Sequence, residues 1–206
     1  MIRCLFSRSF FPVLATLEIV SALALAVVPS VGWVLLLMVS HLMICIRFRG
    51  TYNGGSDMMT FVVLTGLLIG LIVGEERGYQ IGLLYIALHA GYSYLKAGLV
   101  KFAQKDWRTG AALPVFLGRS LLPPARALGL VLESRPVLTA GLSWLVIVFE
   151  IAIFGLLFVP EWSLFYAGLA LGFHFGNFLL FGLNRFFWIW LAAWPALLSG
   201  LSLSLS

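Results

Sequence analysis

Residues 137–159 read VLTAGLSWLVIVFEIAIFGLLFV, twenty-three positions that carry one charge, Glu150, near the middle. The hydrocarbon core of a bilayer is about 30 Å thick, and a helix crosses it with roughly 20 apolar residues. This stretch is long enough to do so, and Pro136 and Pro160 bracket it. The pattern then repeats. Working outward, apolar runs fall at about 10–28, 31–46, 58–73, 79–101, 163–182 and 186–203. Short polar breaks separate them, among them Pro29-Ser30 and GEERGYQ at 74–80.

The bulk numbers agree with this reading. Of 206 residues, 62% are hydrophobic and 10% are charged, and the mean hydropathy is +1.06. A water-soluble domain carries about 25% charged residues, so this chain has too few to cover a wetted surface. A cytosolic enzyme, a disordered chain, a nucleic-acid binder and a disulfide scaffold are all excluded. The sequence predicts an all-α, polytopic transmembrane helix bundle of about six or seven spans, forming a single domain over 1–206. The first apolar run is longer than a signal-peptide core and contains Glu18, so it reads as a retained span.

Between the fourth and fifth runs lies a connection, 102–135, that holds much of the charge and the Pro123-Pro124 pair. Two apolar segments within it, 110–117 and 126–132, are too short to cross. They predict interfacial helices between spans four and five. With seven spans and a cytoplasmic N-terminus, Arg3, Arg8, Arg47, Arg49, Lys105, Arg108, Arg119, Arg126, Arg135 and Arg185 share one side. Arg77 alone falls on the other. Basic loops mark the cytoplasmic face, so the net charge of +5 reports orientation and not a nucleic-acid partner. An inner-membrane location with the N-terminus in the cytoplasm is expected.

Small residues recur every fourth position at Gly66, Gly70 and Gly74, and at Gly168, Gly172 and Gly176. Such ladders let helix backbones approach closely in lipid. Against this apolar background stand Glu18, His41, His89, Lys96, Glu150 and His174 inside spans, with Lys101 at the end of one. An ionisable group at a helix centre costs about 2.5–3.5 kcal/mol on insertion scales and needs a partner. A polar interior site is the functional reading; each group also has a structural one. Glu18 has an ion pair with Lys96 open to it, and His41 a bond to a backbone carbonyl. His89 and Lys96, seven apart, share a helix face that should point inward. Glu150 has no local cation, so its partner must come from another helix. His174 and Asn177, three apart, form a donor–acceptor pair on one face. Cys4 and Cys45 lack CxxC spacing, and no HExxH, EF-hand, P-loop or dinucleotide fingerprint occurs. No metal is expected.

Three stretches, in order, carry a resemblance. They are Tyr52-Asn53-Gly54-Gly55-Ser56-Asp57; Ala97-Gly98 through Lys101 with Asp106-Trp107 and Gly110; and Phe173-His174-Phe175-Gly176-Asn177 with Leu180-Phe181, Ala193 and Pro195. Over about residues 10–197 the chain resembles the membrane domain shared by vitamin K-dependent γ-carboxylases and their bacterial relatives, the HTTM family. The resemblance implies an isoprenoid quinone or quinol as cofactor. It places Lys101 on the family's base and Glu150 where the family tends to carry an acid. His174 and Asn177 match a motif in a later helix. Catalytic Lys101, His174 and Glu150 are thus expected, with Asn177, Trp107, Asn53 and Asp57 contacting the cofactor or lining its mouth.

Two departures accompany the match. One extra residue stands between Lys101 and Asp106-Trp107, and Gly55-Ser56 occupy the place of a functional histidine of the carboxylases. The chain stops after the bundle, without the carboxylases' large extramembrane domain, so peptide glutamate carboxylation is not expected. The function expected is a quinone- or lipid-facing enzyme or peptide-maturation factor. Its partners are membrane lipid and a separate protein or peptide substrate. The alternative is a non-catalytic anchor or accessory subunit of a redox or peptide-export complex.

Overall fold

The computed structural model describes residue 7 and residues 10–48, 55–155 and 158–199. Among these the chain is helical, with no strand. The helices are α1 (Phe10–Val27), α2 (Val31–Arg47), α3 (Asp57–Val73), α4 (Glu75–Ala103), α5 (Lys105–Arg108), α6 (Ala112–Gly118), α7 (Pro123–Glu133), α8 (Pro136–Gly155), α9 (Ser163–Phe181) and α10 (Asn184–Ser199). A 3-10 turn, Pro160–Trp162, precedes α9. Among the described residues three helices are long and apolar enough to cross a membrane: Phe10–Val27, Pro136–Gly155 and Leu164–Phe181. Only 11%, 33% and 11% of these windows are buried within the protein. Apolar helices left so uncovered suit lipid as their solvent, since a soluble fold would turn that surface inward. Helices α2 and α3 are apolar too, at 17 residues each.

The chain divides into two compact units, residues 1–86 and 87–206, with the boundary inside α4. In the first unit α2 packs on both α1 and α3. Ser30 sits at the N-cap of α2, where its Oγ accepts from the backbone N–H of Trp33 at 3.4 Å. In this unit the half-buried Glu18 of α1 meets the buried His41 of α2, with Nδ1 2.8 Å from Oε1. The pairing of Glu18 with Lys96 and the carbonyl partner for His41 are therefore both corrected. A histidine on the adjacent helix lies at the same depth, and each group answers the other's desolvation.

Helix α3 and the first turns of α4 approach at backbone distance. A Cβ placed on Gly66 would lie 2.5 Å from Ile86 Cγ1 and 2.8 Å from the Gly82 carbonyl; one on Gly78 would lie 2.8 Å from the Gly70 carbonyl. The ladder at 66 and 70 is thus a helix contact. Gly74 is not part of it: with φ +69° it ends α3 in a conformation open to glycine.

In the second unit the residues of α4 that turn inward are Ala87, Ala90, Tyr94 and Gly98, spaced by three and four. His89 and Lys96 lie outside this stripe and are exposed, which corrects the expectation of an inward face shared by both; Lys96 alone reaches the margin of a cavity. Seven-residue spacing fixes a shared face but not which way it points. Helices α6 and α7 pack on each other through Leu117, Ala125 and Leu132, against Leu142 of α8 and Leu180 and Phe181 of α9. Pro123 opens α7 at a position where its missing N–H has no helical partner to lose.

Hydroxyls close the helix ends of this unit. Ser120 Oγ donates to the Leu180 carbonyl at 2.5 Å, and Thr139 Oγ1 to the Leu132 carbonyl at 2.7 Å. Away from water such carbonyls must be satisfied internally. Helix α10 packs on α9 and carries Pro195 in its interior. The second glycine ladder makes no close contact: a Cβ on Gly168, Gly172 or Gly176 would meet nothing within 4 Å. The reading of it as a packing seam is corrected, because α10 meets a different face of α9, the one bearing His174.

Candidate functional site

The site of the second unit starts from a close crossing of α4 and α8. A Cβ on Gly98 would stand 2.7 Å from Ile151 Cγ1, 3.0 Å from the Ile151 backbone nitrogen and 3.1 Å from Glu150 Cβ. Only glycine lets the two backbones come this near. One turn further along α4, Lys101 then reaches Glu150 across the crossing. Its Nζ donates to both carboxylate oxygens, at 2.7 Å and 2.6 Å. The side chains are 19% and 5% exposed.

The short helix α5 supplies a third wall. Gly110 closes its turn at φ +84° against the backbone of Ala140. Ser143 Oγ donates to the Trp107 carbonyl at 2.5 Å, and Trp144 Nε1 to the Arg108 carbonyl at 3.1 Å. Held this way, the Trp107 ring lies with its centroid 5.3 Å from Lys101 Nζ, within the range of a cation–π contact. The ammonium has three N–H donors; two go to Glu150, and one remains for another acceptor.

These groups open onto a cavity of about 920 Å³. Lys96, Lys101, Trp107, Glu150 and Asn177 supply its polar margin. Leucines and phenylalanines from α6, α7, α8, α9 and α10 make its walls with Ala97 and Val100 of α4, and Gly172 and Gly176 leave its α9 side bare. Asn177 turns its Nδ2 onto the Phe173 carbonyl at 3.0 Å. The cavity is near the upper end of the roughly 300–1,000 Å³ usual for small-molecule sites, and its mostly apolar lining with a few polar groups is typical of them.

His174 lies elsewhere. It is buried, with Nε2 hydrogen-bonded to the Tyr94 hydroxyl. The ring stacks on Trp190 at 5.2 Å and 19° and borders a second, apolar cavity of about 210 Å³. Lys101, Glu150, Trp107 and Asn177 therefore share one cavity, while His174 sits among aromatic rings beside the other. Asp57 belongs to the first unit, where its Oδ1 is 3.9 Å from His41 Nε2. Asn53 falls outside the described residues. Tyr94 escaped the sequence reading because tyrosine is not charged. The signal was a phenol inside a span, since a buried tyrosine O–H normally finds a partner.

The HTTM domain family model matches residues 79–199, from the start of α4 to the end of α10. Comparison with curated proteins and with solved structures gives no significant match.

Proposed function

The chain belongs to the HTTM family of membrane domains, and on that premise we propose that it is a quinone- or lipid-facing enzyme or peptide-maturation factor working within the bilayer. The observation that carries the reading is the Lys101–Glu150 pair, a neutral unit of two opposite charges, bordering a large apolar cavity. A charge pair in such surroundings needs a reason, because apolar side chains of similar volume often pack there with equal or better stability.

The residues present suit an isoprenoid quinol. The cavity has room for a ring and part of an isoprenoid tail, and its margin offers the ammonium groups of Lys96 and Lys101, one amide and an indole face for stacking. When bound, a quinol supplies a weakly acidic hydroxyl and an oxidisable ring. The chain's own residues would then manage the proton. Lys101 passes one of its protons to the Glu150 carboxylate 2.6 Å away, and the neutral amine accepts the ligand's hydroxyl proton. Asn177 orients the ring and Trp107 covers the ammonium. His174 and Tyr94 act at a distance from this cavity, fixing how α9 and α10 sit against α4.

The finer topology belongs to the same proposal. All seven apolar runs span, residues 1–206 act as one membrane domain, and α6 and α7 lie in the cytoplasmic headgroup region with the basic residues around them. The N-terminus is then cytoplasmic, in a bacterial inner membrane. Native mass spectrometry of the full chain in mild detergent tests the function. A bound species of isoprenoid-quinone mass, lost in Lys101→Ala, is expected. A stoichiometric protein partner with no small molecule would instead support an accessory subunit.

A further inference from the structure

The first unit contains a second group of chemistry-bearing side chains, outside the region matched by the family model. His41 and Cys45 stand four apart in the last two turns of α2, so they share a face. Asp57 opens α3. The ligating atoms of His41, Cys45 and Asp57 all lie within 4.8 Å of one another. His41 is 5% exposed and Asp57 1%, and Cys45 is buried and outside any disulfide.

The histidine points to a ligand. Its Nδ1 is 2.8 Å from Glu18 Oε1, while its Nε2 is buried with no hydrogen-bond partner. Asp57 Oδ1 is 3.9 Å from that nitrogen, beyond the roughly 2.7–3.2 Å of an N–H···O bond. The ring thus turns Nδ1 to the Glu18 carboxylate and leaves Nε2, on its other side, for a ligand. That is the arrangement of a metal-binding histidine, whose other ring nitrogen donates to a carboxylate that fixes tautomer and direction.

We propose that His41 Nε2, Cys45 Sγ and Asp57 form a three-ligand site for a borderline transition-metal dication of the Zn²⁺ type, with Glu18 as the positioning residue behind His41. Nitrogen, sulfur and carboxylate oxygen together suit such ions, and zinc bonds of about 2.0–2.3 Å put tetrahedral ligand atoms about 3.3–3.8 Å apart. The present spacing needs only a small contraction to reach this. On binding, the Cys45 thiol loses its proton to solvent. Thiolate and the Asp57 carboxylate then match the two charges of the dication, while Glu18, its side chain 30% exposed, stays outside the ligand set. Asp57 makes other interactions as well; its two oxygens have about four acceptor positions, enough for both. A fourth coordination position stays open for water or an exogenous ligand.

The test is a CoCl₂ titration of the full chain in detergent, purified without a polyhistidine tag and stripped with chelator. One equivalent should bind, with a thiolate-to-cobalt charge-transfer band. Cys45→Ser, a one-atom change, should lose the band. Glu18→Gln, similar in shape, should weaken binding about 10–100-fold, and His41→Ala should abolish it. Two results overturn the site: no saturable uptake by the wild type, or a band unchanged in Cys45→Ser. Wild-type affinity in Glu18→Gln overturns the positioning role.

Discussion

Replacing Lys101 by methionine shortens the unbranched side chain by one atom and removes its charge, which leaves the Glu150 carboxylate without its cation. The wild-type pair has two contacts, at 2.7 Å and 2.6 Å, and the Glu150 side chain is 5% exposed. Breaking a buried pair from one side costs about 3–5 kcal/mol. For a chain of this size, 1 kcal/mol shifts the midpoint by about 2–4 °C, so Lys101→Met should lower Tm by about 6–20 °C. The reciprocal change should cost less. Glu150→Gln keeps an acceptor oxygen, and the Lys101 it leaves is 19% exposed and still faces Trp107; about 1–3 kcal/mol is expected. The double variant removes both charges and should cost about as much as Lys101→Met alone, giving a coupling of about 2 kcal/mol. Reversible unfolding of all four proteins in mixed detergent micelles measures this cycle. If the single effects add to within about 0.5 kcal/mol, the two groups do not act as a pair and the site as described fails.

The remaining predictions concern the frame around that pair. Gly98→Val places methyl groups where Ile151 Cγ1 and backbone nitrogen already stand. It should cost about 1–3 kcal/mol by overpacking, read as a lowered unfolding midpoint; an unchanged midpoint would refute the close crossing. Gly176→Leu enters open space beside the cavity, so stability should hold while quinone co-purification falls at least tenfold by quantitative mass spectrometry; equal retention would remove the cavity from the ligand site. Tyr94→Phe strips His174 of its hydrogen-bond partner and should destabilise by about 1–3 kcal/mol without abolishing ligand capture, since His174 borders the other cavity. Ligand loss in a stable Tyr94→Phe protein would show that the two cavities are linked.

Helix content and apolar runs were legible because lipid imposes length and composition on each segment separately. Glu150 was legible for the same reason: a carboxylate in 137–159 has no local partner, so one had to arrive from another helix. Which partner arrives is decided by crossing geometry, and that was not legible. Lys101 reaches Glu150 because Gly98, one turn earlier, lets the backbones touch. Glu18 has His41 and not Lys96 because adjacent helices place those two at one depth. The two glycine ladders look alike as text, yet one packs against α4 and the other faces open space. Spacing shows that a helix has a smooth face; only the arrangement of neighbours says whether anything lies on it. The cluster of His41, Cys45 and Asp57 was missed because no motif search joins a pair four apart on one helix to an acid opening the next.

The contact between α3 and the start of α4 also bears on biogenesis. Its touching surfaces are glycine backbones with the Ile86 and Tyr79 side chains laid on them, joined by a turn of Gly74 at φ +69° and Glu75 at φ 53°. Few side-chain rotamers are lost on closing such a contact, and it draws on dispersion, which works in lipid as it does in water. Two helices of this kind can zip together as they leave the insertion machinery, before any later helix is synthesised. The hairpin is thus available early as a finished piece, a nucleus laid down in chain order.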